Sequence, residues 1–234
     1  MKKKYSILFI GNSYTYYNDM PCGIFQKFAE SAGLCVEVKT ITKGGWTLEK
    51  FSDPSDEHGK RATDALLSAK YGEYDFIILQ EQSHQPVTNP EAFHTAAKKL
   101  ISMVKNIGAT PLLYSTWGRK SGSPTLEEYN LTNESMTIGL AKAYQSIANE
   151  CNIDVAHTGL AFFDIYTAKD NDIELYNPDA SHPSYAGSYL AAAVLFGKVF
   201  GISPKEISFR GELPPADAVL LCSAADRALT QKIQ

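Results

Sequence analysis

Short apolar runs punctuate this chain, each ended by a glycine or a polar turn. Residues 5–11 set Ile7-Leu8-Phe9-Ile10 directly before Gly11, the pattern of a strand buried on both faces. Residues 35–41 alternate apolar and polar, as a half-buried or edge strand does. Residues 75–80 are the most apolar short run of all, and residues 110–116 and 153–157 bring the candidate strands to five. Helical spacing fills the intervals. Pro21 opens a helix over 20–33, with Ile24, Phe25, Phe28 and Ala29 on one face and Gly33 as its stop. Further helices are predicted over 60–70, over 90–107 with Gly108 at its end, and over 125–150 with a break near Gly139. Residues 12–19 and 51–60 read as polar loops, and 158–180 as irregular after one helical turn at 159–168. Pro183 leads into a helix of small and apolar residues from Ala186 to Phe200, stopped by Gly201 and Pro204. A short extended piece and an Ala-rich helix from 215 complete residues 205–234.

Strand and helix alternate, which predicts an α/β fold: five parallel strands with helices on both faces, a three-layer α/β/α sandwich. No repeat, low-complexity segment or linker interrupts residues 1–234, so the expectation is a single domain with 205–234 as an extension packed on it. Sites in such folds lie beyond the carboxyl ends of the strands. Ser13, Gly44-Gly45, Gln80 to Gln82 and Trp117 all fall there from element order alone.

Composition changes this picture little. The chain has 234 residues, 44% hydrophobic and 21% charged, with a net charge of −4. That balance argues against nucleic acid or an anionic membrane as main partner. Cys22, Cys35, Cys151 and Cys222 are widely spaced, and no histidine cluster accompanies them. They read as small buried hydrophobes, with no metal or other cofactor implied. Met1-Lys2-Lys3-Lys4 resembles the start of a leader, but the following apolar run breaks at Gly11-Asn12-Ser13. A signal peptide is therefore not expected, and the expected location is cytoplasmic.

Two stretches carry candidate chemistry. Gly11-Asn12-Ser13 delivers a serine to the end of the first strand, and Asp179-Ala180-Ser181-His182 lies just before the last long run of small residues. A serine hydroxyl becomes a useful nucleophile only when a base takes its proton, and a carboxylate on the far imidazole nitrogen fixes that base. Pro183 disfavours helical geometry at His182, so Asp179 and His182 share a loop where a tight turn joins carboxylate to ring. The oxyanion of an acyl-transfer intermediate needs donors. The Ser13 N–H, the Gly45 N–H and a side-chain amide from Gln80 or Gln82 are the candidates. The Gly-x-Ser-x-Gly elbow of α/β-hydrolases is missing, because Thr15 stands at its second glycine. Trp46, His84 and Trp117 flank these positions as candidate substrate contacts, and Tyr14, Tyr16 and Tyr17 either shape a pocket or cap the sheet. Glu81 is a candidate supporting acceptor, and His157 a rival base.

These blocks resemble those of the SGNH hydrolases, the GDSL-type esterases. Phe9-Ile10-Gly11-Asn12-Ser13 matches their first block, Gly45 their second, and Asp179-Ala180-Ser181-His182 followed by Pro183-Ser184-Tyr185-Ala186-Gly187 their last. The resemblance spans Ser13 to about Phe200. It implies a flavodoxin-like fold and a metal-free Ser-His-Asp esterase. The third block departs: where the family usually carries Gly-x-Asn-Asp, this chain has Leu79-Gln80-Glu81-Gln82-Ser83-His84, similar to a glutamine variant among carbohydrate-directed members. Gln82 fits the asparagine register and Gln80 the glutamine register, and both stay open. The implied substrate is a small-molecule ester or acylated carbohydrate, with removal of short acyl groups. An acyltransferase with the same triad and a non-catalytic carbohydrate-binding module are the alternatives.

Overall fold

The structure, a computed structural model, describes residues 3–170, 172–231 and 233. In chain order it runs β1 (Lys4–Gly11), α1 (Ser13–Tyr16), a wide helical turn (Met20–Phe25) continued by α2 (Gln26–Ser31), β2 (Cys35–Thr42), α3 (Leu48–Phe51) and α4 (Glu57–Ser68). Next come β3 (Phe76–Leu79), α5 (Gln85–Thr88), α6 (Pro90–Asn106), β4 (Thr110–Ser115), α7 (Pro124–Glu128), α8 (Asn133–Cys151) and β5 (Asp154–His157). The chain ends with α9 (Thr158–Thr167), α10 (Tyr185–Phe200) and α11 (Pro215–Thr230).

All five strands pair in parallel, in the order β2-β1-β3-β4-β5. Successive strand residues point to opposite faces, so β1 divides its side chains between two cores. Ile7 and Phe9 join Ile78, Leu112 and Tyr114 in a cluster covered by α2, α9, α10 and α11. Leu8 and Ile10 join Ile77, Leu79 and Leu113 in a second cluster covered by α3, α4, α6 and α8. Three layers follow, because both faces of the sheet are apolar and each needs a helical cover. Leu221, Ala224, Ala225 and Ala228 of α11 belong to the first core.

The strand order reverses direction between β1 and β3, and that switch point opens a crevice at their carboxyl ends. The segments after β1 and β3 are Asn12-Ser13 and Gln80 to Ser83.

Several boundaries differ from the sequence expectation, beginning with α1, which takes Ser13–Tyr16 out of the loop expected over 12–19. The single helix over 125–150 is two: α7 ends before Asn130 at φ 51°, and Thr132 with Ser135 forms a reciprocal cap that starts α8. Gly139 lies inside α8, where an added Cβ would meet Val87, so no break falls there. The loop over 51–60 holds the start of α4, because Asp56 accepts from the His58 and Gly59 N–H groups. The turn at 159–168 is a full helix, α9. Of the four cysteines, all free, Cys222 is buried but Cys35 is exposed at the start of edge strand β2, against the expectation of buried hydrophobes.

Candidate active site

Gly11 ends β1 at a point where no side chain fits. A Cβ there would lie 2.4 Å from Thr15 Oγ1 and 2.7 Å from Gln80 Oε1. The turn after it is closed by Asn12, whose side chain accepts from the Tyr14 N–H and donates to the Trp46 carbonyl at 3.0 Å. Ser13 is thereby the first residue of α1. Its N–H has no acceptor four residues back within the helix and meets none among the described residues.

His182 meets this serine from the other end of the chain. Its Nε2 lies 2.8 Å from Ser13 Oγ, and its Nδ1 lies 2.5 Å from Asp179 Oδ2. Asp179 Oδ1 accepts from the Ser181 and His182 N–H groups, and Ala180 takes φ 59° so that the turn is tight enough for both. Burial pushes the Asp179 carboxyl up, but bonds from the His182 ring and from two backbone N–H groups outweigh it and hold the carboxyl below its ordinary range. The imidazole plane is fixed from above by Tyr17, stacked at 4.3 Å, and met edge-on by Tyr14 at 5.6 Å. The loop bearing Tyr17 is tied down by Asn18, whose amide donates to Pro183 O, Ser184 O and Ser188 Oγ at the start of α10.

The two glutamines separate cleanly. Gln80 is wholly buried at 0% exposure. Its Oε1 accepts from the Asn12 N–H and the Thr15 hydroxyl, both at 2.8 Å, and its Nε2 donates to the Glu81 carbonyl. Its oxygen thus holds the serine turn while its amide nitrogen turns to the Glu81 carbonyl, and Gln80 does not line the cavity beside Ser13. Thr15, in place of the elbow glycine, is part of the same clasp. Gln82 instead lines a cavity of about 200 Å³ together with Asn12, Ser13, Tyr14, Gly45, Ser83, Arg119, Ser181 and His182. Its Oε1 accepts from the His84 N–H and, more weakly, the Gln85 N–H, and its Nε2 has no partner among the described residues. Gly45, at φ 73°, has nothing within 4 Å of an added Cβ, and its N–H meets no acceptor among the described residues.

Glu81 joins the two sides of this cavity. Its carboxylate accepts from the Leu48 N–H at 3.1 Å, just beyond the Gly45 turn, and from the Gln82 N–H at 2.5 Å. Its own N–H donates to Tyr144 Oη. Burial raises its pKa to about 8, against the lowering effect of those N–H bonds. The supporting role anticipated for it matches this placement.

The three anticipated substrate contacts do not line the cavity. Trp117 is 0% exposed and stacks between Tyr14 at 4.7 Å and Phe162 at 4.0 Å, with its N–H donated to the Ser181 carbonyl. It is packing beneath the site rather than a stacking surface in it. The Trp46 indole turns away to Asp56 and lies between Lys43 and Lys50. His84 bonds Thr88 and stacks on Tyr129. His157, the rival base, bonds Gln145, and burial lowers its pKa to about 4. The cavity residues that the sequence did not single out are Ser83, Arg119 and Ser181. Ser181 lies inside the Asp-x-x-His block and bonds Tyr14 Oη at 2.7 Å, while Arg119 stands in a loop without periodicity.

No helix among the described residues is long and apolar enough to cross a membrane. No family model matches the sequence, and no curated protein matches it. Solved structures do. A chain from Slackia heliotrinireducens assigned to the SGNH hydrolases is 32% identical, with a TM-score of 0.71 over 83% of this chain and 98% of that one. A DUF4886 family protein from Bacteroides uniformis is 17% identical, with a TM-score of 0.81 over 97% and 95%. An acetyl-xylooligosaccharide esterase from Geobacillus is 15% identical, with a TM-score of 0.60 over 90% and 100%. The last two share the fold; the first, at its identity and coverage, establishes descent, and this chain belongs to the SGNH hydrolases.

Proposed function

We propose that the chain is a serine ester hydrolase that removes short acyl groups from a small-molecule or carbohydrate ester. The observation that carries this reading is the unbroken run from Ser13 Oγ through the His182 ring to the Asp179 carboxylate, at 2.8 and 2.5 Å. Ser13 Oγ attacks the acyl carbonyl carbon while His182 Nε2 takes its proton. Asp179 keeps the remaining ring proton on Nδ1 and stabilises the imidazolium. The Ser13 N–H, the Gly45 N–H and the Gln82 amide receive the oxyanion. His182 then protonates the leaving alcohol, and an acyl-serine remains. A water, activated by the same ring, attacks that ester and releases the acid and Ser13.

A cavity of about 200 Å³ accommodates an acetyl-sized acyl group rather than a long chain. A carbohydrate alcohol is supported by the fold shared with acetyl-xylooligosaccharide and acetyl xylan esterases, of which those activities are known. The test is hydrolysis of para-nitrophenyl acetate and of acetylated xylooligosaccharides by wild type and Ser13→Ala. Loss of at least about 10³-fold in kcat is expected for the variant. Equal rates would remove the serine mechanism.

A further inference from the structure

One cation faces the catalytic cavity without a counter-charge. Arg119 leaves the sheet just after β4, and its backbone is fixed: the Asn133 amide donates to the Gly118 and Arg119 carbonyls, and the Gly118 N–H donates to Thr137 Oγ1. The guanidinium lines the cavity beside Ser13, Gln82 and His182. It donates one hydrogen bond, from Nη2 to Ser83 Oγ at 3.0 Å, and its Nε is buried with no partner. No carboxylate lies within 4.0 Å of it among the described residues, whereas Lys120 next door is paired with Glu174.

A guanidinium is permanently charged and carries five donors. Burying its Nε without a partner is unfavourable until an acceptor arrives. The cavity itself offers none that is charged. Asp179 is occupied by His182 and two backbone N–H groups, and Asn12, Gln82, Ser83, Ser181 and Tyr14 are neutral. Burial and the nearby Arg119 charge lower the His84 pKa, and His84 does not line the cavity. The group that completes this arrangement is an oxyanion, which a guanidinium meets through paired N–H donors.

We propose that Arg119 is the specificity-determining residue of the site, selecting esters whose acyl or alcohol part carries a carboxylate or similar oxyanion. This inference rests on the serine-esterase reading. Two matched pairs of probes test it: para-acetoxybenzoate against its methyl ester, with the charge on the alcohol part, and para-nitrophenyl hydrogen succinate against para-nitrophenyl methyl succinate, with the charge on the acyl part. Wild type should prefer the anion in one pair, and that pair identifies which part Arg119 reads. Arg119→Met should lower the ratio of kcat/KM, anion over neutral, by about 10–100-fold, with Arg119→Lys intermediate. A merely structural role would depress both rates and leave the ratio alone. No anion preference in either pair, or a ratio unmoved in Arg119→Met, overturns the inference while Ser13-dependent hydrolysis of the neutral esters stands. If none of the esters is hydrolysed in a Ser13-dependent way, the esterase reading falls instead. Calorimetric binding of para-acetoxybenzoate and of the succinate monoester to Ser13→Ala then decides. Binding tighter than that of the methyl ester and lost on adding Arg119→Met supports the anion site, and equal binding of acid and ester refutes it.

Discussion

Replacing Gln80 by alanine separates a clasp from a catalyst. In the folded protein the Gln80 amide meets three groups: the Asn12 N–H, the Thr15 hydroxyl and the Glu81 carbonyl. The hydroxyl can rotate toward another acceptor, but the two backbone groups are fixed and buried. Each buried group left unpaired costs about 1–3 kcal/mol, and the vacated volume adds to that, so Gln80→Ala should lose about 3–6 kcal/mol of stability. That is a large share of the ~5–15 kcal/mol that holds a typical domain together. Gln82→Ala touches only a half-buried amide at the cavity and should leave stability within about 1 kcal/mol, while lowering kcat by about 10²–10³. Urea unfolding followed by far-UV circular dichroism, alongside steady-state hydrolysis below the unfolding midpoint, reads both quantities. A Gln80→Ala protein of unchanged stability but greatly reduced kcat would refute the reasoning, because Gln80 would then be the oxyanion donor.

Three further outcomes are expected. Glu81 has its folded pKa raised, from 4.5 to about 8, so its contribution is fully present below the unfolded value and is lost as pH rises through about 8. At about 1.4 kcal/mol per pH unit the loss is at most about 5 kcal/mol, so wild type should weaken relative to Glu81→Gln between acidic and mildly alkaline pH, and parallel stability profiles would contradict this. Trp117→Ala should cost about 3–5 kcal/mol of stability, as for any buried large aromatic; a loss confined to KM, with stability intact, would restore it as a substrate contact. Asp179→Asn should lower kcat by about 10³–10⁴ by stranding the wrong tautomer of His182, and a pH–rate profile and kcat equal to wild type would exclude an orienting role.

The sheet was legible because its strands are apolar on both faces: Ile7 to Ile10 and Ile77 to Leu79 admit few other readings, and alternation with helices leaves little choice of topology. Ser13, Asp179 and His182 were legible because each sits in a short local pattern at a strand or helix boundary. The direction of Gln80 was not, since its partners Asn12 and Thr15 lie 68 and 65 residues away and no local signal says which face a residue takes once a strand has ended. The short helices α1, α3 and α5 have four residues each, below the length at which periodicity or propensity can speak. Arg119 was hidden for a related reason: its meaning depends on an absent neighbour, and sequence shows charges but not their isolation.

The separation of Ser13 and His182 by 169 residues has a kinetic consequence. All five strands are complete by His157, before His182 has been encountered. The proposed Ser13–His182 pair is therefore a contact of very high sequence separation, of the kind that forms late. Stopped-flow refolding should show sheet ellipticity returning ahead of hydrolysis, with a lag set by docking of the Asp179–His182 loop and α10; simultaneous recovery would mean that the ends of the chain meet first and the sheet forms around them.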